Sequence, residues 1–298
     1  MNTKIRSFIL LLLLTLCLVS CGKSAADAIP LGDGLPDWTV TEPRKSVSLT
    51  AEEQADGLSE KWVTDTDHAD ILIYRLPKEG KTLSEIGNEE ADIHGVFCQI
   101  TQAVGCDTAN FLFYSEENDA IAQTYIFEGK EQFVELVLMY KSERFPLGDS
   151  GLTFALPKGY LGNSTSDGVF PYEVVYTTDL KTLPTVKARQ FAKDYFTPET
   201  YSPSFLSATT PEEYAAFSED GWTLEEELAY YAKNAEEVLK NEIYERNGFR
   251  IGFIGYTVNG KLQVRALIDR ESDFLMLTAE DNVDSFRHIV TALLDSID

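Results

Sequence analysis

Gly148-Asp149-Ser150-Gly151 is the stretch of this sequence that most invites a reaction. A serine held in a glycine-flanked turn attacks acyl carbons when a histidine takes its proton and a carboxylate orients that histidine. His68 and His94 precede Ser150, but no surrounding residues mark either as its base, and a Gly/Asp/Ser linker between two folded parts explains the same four residues. Asp65-Thr66-Asp67-His68-Ala69-Asp70 crowds three carboxylates and an imidazole, ligands suited to a hard cation or to zinc. Ala69 stands where a calcium loop needs an oxygen and Asp70 where it needs a turning glycine, so a solvated acidic loop is the better reading. The sequence holds no His-Glu-x-x-His and no glycine pattern that would cradle a phosphate. Carboxylates are too many for a catalytic pair to stand out. No catalytic residue, cofactor or metal ligand is assigned, and the protein is expected not to be an enzyme.

Four cysteines remain to be placed. Cys98 and Cys106 enclose seven residues. In an oxidising compartment a disulfide can close such a loop, or two buried thiols can flank it, and spacing alone does not choose. Cys17 and Cys21 lie near the start. Lys4 and Arg6 precede an apolar run from Ser7 to Val19, about a dozen residues, which is a signal-peptide core and short of the roughly 20 needed to span a bilayer. Leu18-Val19-Ser20-Cys21, followed by Gly22, matches the lipobox of bacterial lipoproteins. The resemblance implies that residues 1–20 are a signal peptide cut just before Cys21, and that the Cys21 sulfur is diacylated. The chain would then sit in the cell membrane on its extracytoplasmic face, since two lipid chains anchor stably where one does not. Residues 21–37, rich in Ala, Gly, Asp and Pro, are expected to be a tether reaching at most ~50 Å.

Charge narrows the partners further. The 298 residues carry 49 acidic against 25 basic side chains, a net −24, so nucleic acid and anionic lipid headgroups are repelled. An aromatic content of 11% argues for a folded body despite that charge.

Two similar halves follow, residues 38–147 and 148–298. The first is expected to carry strands at 38–41, 46–50 and 71–76, then a helix at 83–94 opened by the Thr82/Glu85 capping box, then strands at 110–115, 120–127 and 132–140. The second is expected to carry strands at 152–156 and 169–177 and a helix at 186–196. Strands at 249–257, 263–268 and 274–278 come next, and then a final helix at 283–297. That helix shows an amphipathic stripe of Phe286, Ile289, Val290, Leu293, Leu294 and Ile297. "KTL" at 81–83 recurs at 181–183, and "FLFY" at 111–114 recurs as "FIGY" at 253–256. The offsets differ, so an insertion at 197–240 is inferred in the second half. It is acidic, with a long helix running from Leu224 to Leu239, and its Trp222 and Tyr230 fall outside the apolar stripe as a partner surface. Lys181, Lys187, Arg189 and Lys193 form the basic cluster that could dock against it.

The order of a hairpin, a helix, three antiparallel strands and a closing helix, with "FALPKGY" and "DNVDSFRHIVTALLDSI" as its most specific parts, resembles the PsbP-like fold. The resemblance implies an α+β class, with antiparallel sheets flanked by helices in two related PsbP-like modules. It also implies a binding or assembly factor. The expected function is therefore a membrane-anchored lipoprotein that binds an unidentified protein or envelope partner without catalysis. The alternatives are the solute-binding lipoprotein of a transporter, which needs parallel βα units, and a secreted hydrolase without a recognisable motif.

Overall fold

The computed structural model describes residues 26–64, 69–164, 172–178, 183–193, 223–282 and 289–298. The first half begins with β1 (Ala26–Ile29), β2 (Trp38–Val47), a short α1 (Ala51–Ala55), β3 (Leu58–Val63) and β4 (Ala69–Pro77). Next come α2 (Leu83–Ile93) and four strands in succession, β5 (Gln99–Ala103), β6 (Cys106–Ser115), β7 (Ala120–Glu128) and β8 (Gln132–Tyr140). A hairpin of β9 (Ser142–Pro146) and β10 (Thr153–Pro157) leads to β11 (Leu161–Ser164), β12 (Tyr172–Thr177) and β13 (Val186–Ala192). The chain then forms α3 (Leu224–Lys233), β14 (Glu237–Arg246), β15 (Phe249–Val258), β16 (Lys261–Asp269), β17 (Asp273–Asn282) and α4 (Ile289–Asp295).

The strands make an eight-stranded sheet ordered β1-β2-β3-β4-β8-β7-β6-β5 and a seven-stranded sheet ordered β11-β12-β13-β17-β16-β15-β14, with the β9–β10 hairpin apart. Four strands precede α2 in the first sheet and three precede α3 in the second; in each, four strands follow the helix and the last of them returns beside the strand just before it. All pairings are antiparallel. The expected α+β class, with helices flanking the sheets of two related PsbP-like modules, is thereby corrected. Strand makes up 56% of the described residues and helix 16%, so the architecture is mainly antiparallel β.

Period-two alternation explains how the layers stack. On β6, Phe111 and Phe113 point to a cluster beneath α2, while Leu112 points to the central core. On β15, Ile251 and Phe253 point to the central core, while Ile254 and Tyr256 point to a cluster beneath α3. Both sheets are thus apolar on both faces. Between them lies α4, where Ile289, Val290, Ala292 and Leu293 are wholly buried and Thr291 and Leu294 nearly so. It packs on β6 from one sheet and on β16 and β17 from the other. A helix enclosed on all sides has no polar face to spare. The amphipathic stripe expected there is part of a helix buried all round.

Several other expectations fail for identifiable reasons. The tether at 21–37 is no tether from residue 26 onward. Ile29 and Leu31 are fully buried, and Arg75 donates to the Leu31 carbonyl at 2.5 Å. The Asp33 carboxylate accepts from the backbone N–H groups of Glu131 at 2.9 Å and Gln132 at 3.0 Å, and those bonds hold its pKa below the usual carboxylate range. The helix expected at 186–196 is strand β13 as far as Ala192, since Val186 and Ala188 alternate into the core. The long helix ends at Lys233, and Val238 and Leu239 belong to β14. "GDSG" is the turn of the β9–β10 hairpin, with Leu147 donating to the Leu152 carbonyl at 2.8 Å and itself buried in the core rather than placed in an open linker.

The repeated phrases also fall apart. "FLFY" and "FIGY" do occupy corresponding strands, but Phe111 faces outward and Phe253 inward, so the letter match is one residue out of register. The second "KTL" spans residues outside the described ones. The true counterpart of the Thr82/Glu85 capping box is Thr223/Glu226 at the start of α3. Five residues into each helix the packing is exchanged. Gly87 of α2 presses on Ala109 of β6, whereas Leu228 of α3 presses on Gly252 of β15. A Cβ at Gly87 would lie 2.5 Å from the Ala109 Cβ and 2.7 Å from the Cys98 Sγ.

Gly87→Ala should therefore lower stability by about 1–3 kcal/mol in urea denaturation, although the same change in an unobstructed helix gains about 1 kcal/mol. Adding Ala109→Gly should restore most of the loss. A rise in stability for Gly87→Ala alone would show that the contact is loose.

Candidate functional site

Among the described residues, seven large apolar side chains are well exposed: Ile93, Phe97, Ile100, Leu161, Val238, Leu239 and Ile243. Scattered single residues need no explanation, but a contiguous group does. Leu161 apart, these six lie along the margin where the β5 and β14 edges meet but not on one face: Ile100 stands opposite Ala109 on the α2 side, and Val238 and Ile243 stand opposite Tyr256 and Gly252 on the α3 side, which leaves Ile93, Phe97 and Lys240 to line the seam itself. Ile93 ends α2, Phe97 lies on the link to β5, Ile100 is on β5, and Val238, Leu239 and Ile243 are on β14. β5 and β14 are the edge strands of their respective sheets. Lys240 joins the two edges, its ammonium 4.1 Å from the Phe97 ring centre and 5.3 Å from that of Phe253. Beside it, a Cβ on Gly95 would lie 3.9 Å from the Arg246 guanidinium.

At the end of the seam opens a cleft of about 410 Å³, lined by α2 (Ile93, with its cap His94), β6 and its turn (Phe113 to Glu117), β14 and its turn (Arg246, Asn247), and Asp295 of α4. Each wall has a local cause. The Asn247-Gly248 turn closes β14 on β15 with φ of 52° and 76°, the two left-handed residues that a two-residue hairpin requires. That turn also caps the end of α4, because the Asn247 amide donates to the Leu294 carbonyl at 3.4 Å and to the Asp295 carbonyl at 3.2 Å. Arg144 of β9 donates to the Ser296 carbonyl, to Asp119 at 2.5 Å and to the Tyr114 hydroxyl at 3.1 Å. Cations at the negative end of the helix are favourably placed. His94 stacks on Phe113 with centres 3.7 Å apart and 14° between planes, and burial pushes its pKa down. Arg246 pairs with Asp295, yet burial outweighs that pairing and raises the Asp295 pKa to about 6.

The arrangement is acidic, aromatic and rimmed by apolar side chains, which suits binding. His94 has no serine beside it in the cleft apart from Ser115. The Ser150 hydroxyl is used within its own turn, donating to the Leu147 carbonyl and accepting from the Leu152 N–H at 3.1 Å. A second charged cluster lies beneath α3, where buried Glu227 accepts from the Tyr231 hydroxyl at 2.7 Å and Arg265 donates to the Tyr256 hydroxyl at 2.6 Å. The Arg265 guanidinium also lies 4.5 Å from the Tyr231 ring centre. Those groups satisfy one another, and we read them as structural.

Of the residues singled out from sequence, Cys21, Trp222, His68 and Lys181 lie outside the described residues. Tyr230 is half-buried on α3, its ring 5.6 Å from that of Tyr231. Cys98 and Cys106 are free thiols. They stand at opposite ends of the β5–β6 hairpin, where Ala103 faces Cys106 and Gln99 faces Asn110, a span far beyond the 7 Å a disulfide tolerates. The basic cluster lies on strand β13 and just past it rather than on a helix: Arg189 pairs with Glu173 of β12, and Lys193 with Asp269 of β16 at 2.6 Å, while Lys181 and most of the acidic region fall outside the described residues. Sequence reasoning missed the seam; the signal available for a strand was the Asn247-Gly248 pair, which marks a two-residue hairpin turn between β14 and the apolar run of β15.

No family model matches the chain, and no curated protein matches it. Among solved structures, it is similar to the solution structure of cyanobacterial PsbP (CyanoP) from Synechocystis sp. PCC 6803. The two are 12% identical over 53% of this chain and 91% of that one, with a TM-score of 0.35. At that level the likeness goes no further than a PsbP-like fold.

A folded-state pKa of about 6 for Asp295, above its ordinary 3.8, means the native protein holds that proton more tightly than the unfolded chain. Stability from this group is therefore present below pH 4 and lost as pH rises to about 6. Asp295→Asn should remove that part of the slope in denaturation midpoints taken from pH 4 to 7. Parallel curves for the two proteins would contradict the assignment.

Proposed function

We propose that the protein is a membrane-anchored extracytoplasmic lipoprotein that acts as a binding or envelope-assembly factor, without turnover. The observation that carries the binding part is the open margin where the β5 and β14 edges meet, with Ile93, Phe97 and Lys240 along it and exposed Ile100 and Ile243 on its two flanks. The anchor rests on Leu18-Val19-Ser20-Cys21. Because strand pairing begins at Ala26, only Gly22 to Ala25 separate an acylated Cys21 from the folded body, a reach of roughly 15 Å instead of ~50 Å. β1 occupies one edge of the eight-stranded sheet and β5 the other, so the seam lies on the order of 30 Å across the sheet from the anchor. A partner would be met on the side turned away from the lipid, where an acidic body is not itself drawn to the membrane surface.

Two experiments test the two parts. Globomycin treatment or Cys21→Ala should leave a precursor of higher mass, and wild-type protein cut elsewhere and free in the medium would contradict the anchor. Ile93→Asp combined with Ile100→Asp should abolish capture of an envelope partner without changing the melting temperature. Turnover of a substrate by the intact protein would overturn the non-catalytic reading.

A further inference from the structure

The two sheets have four edges, and they are not alike. β5 is five residues long, whereas β14 runs for ten; β1 and β11 are described over four residues each, bordering residues outside the described ones. Short edges are one of the ways proteins avoid unwanted strand pairing, along with proline, lysine and bulges. β14 contains no proline, and its one bulge lies between Val238 and Lys240, leaving Lys240 to Arg246 in regular register with β15. Its two cations are both committed inward. Lys240 lies over Phe97 and Phe253 and pairs with Glu242 at 2.6 Å, and Arg246 pairs with Asp295.

What remains outward is a row of backbone donors and acceptors unpaired by any described strand, flanked by exposed Val238, Leu239 and Ile243 and by the exposed carboxylates Glu237 and Glu245. The adjoining cleft adds Glu116 and Glu117. Open backbone supplies affinity to an extended chain, and alternate side chains supply selectivity. The net charge of −24 opposes pairing with a second copy or with any acidic segment and favours a cationic one.

We propose that β14 is a template on which an extended segment of a partner protein, apolar residues alternating with Lys or Arg, adds as the next strand of the seven-stranded sheet. This deepens the reading of the seam as a binding surface and rests on it.

The probe is a fluorescent peptide alternating Lys and Val, titrated into the full-length protein and followed by anisotropy. Two isomers carry N-methyl groups on odd or on even residues, so that only one loses the amides that would face β14. That isomer should bind about tenfold more weakly or worse, and the other within about twofold of the parent, because each ladder bond contributes about 1 kcal/mol. Ile243→Lys with Glu245→Lys should weaken the parent peptide by a similar factor at an unchanged melting temperature, whereas Leu161→Lys on the β11 edge should leave it unchanged. Equal loss with both isomers would mean charge attraction alone and would overturn the proposal. A dimer in sedimentation that Ile243→Lys abolishes would give the edge to a second copy and overturn it too. If the peptide behaves as expected while Ile93→Asp with Ile100→Asp still captures the envelope partner, the template stands and the wider reading of the seam fails.

Discussion

Everything in the molecule is arranged around the burial of α4. Over its described residues, Ile289–Asp295, the helix has no exposed face, and such a helix draws its stability from tertiary packing more than from its own propensity. Here it is held because β6 closes one side and β16 and β17 close the other. Each sheet in turn needs the helix, since the inward faces of Leu112, Ile251, Phe253, Val264 and Leu277 would otherwise confront a gap. Leucine-to-alanine changes at such positions commonly cost about 2–5 kcal/mol, a large share of what any domain has.

The ends of α4 explain the functional surface. Its last carbonyls are capped by Asn247 from the second half and by Arg144 from the hairpin that links the halves. The Ser296 hydroxyl accepts from the Ala155 N–H at 2.9 Å, and Asp298 exchanges two backbone bonds with Thr153. These ties draw the β14–β15 turn toward the β6–β7 turn and the end of α2. The cleft and the seam are the places where the two sheets come together without covering each other's edges. Exposure of Ile93 and Phe97 therefore follows from the same packing that buries α4.

How much of this the sequence disclosed depended on whether local pattern and tertiary environment agreed. The run of β8 was legible from Gln132 to Tyr140 because bounding turns and a near-continuous apolar run rich in Phe, Val, Leu and Tyr said the same thing. α2 was legible because Thr82 and Glu85 cap it reciprocally. β14 was misread because Glu, Leu and Lys at its start favour helix, a preference that pairing with β15 overrides. The segment 26–37 was misread because Gly, Pro and Asp signal a loop, and nothing local reveals that Asp33 would be clamped by a turn 98 residues away. The seam was illegible for a deeper reason. Whether Ile243 is inside or outside is decided by which strand ends up at the edge, and strand order is not written in any single strand.

Native-state amide exchange in low urea would test the shared core most directly. If α4 is the common centre, its amides from Val290 to Asp295 should exchange only through global unfolding, with the same free energy and urea dependence as those of β7 and β16. Two distinct unfolding free energies for the two sheets, with α4 following one of them alone, would show that each half is an independent unit and would contradict the account.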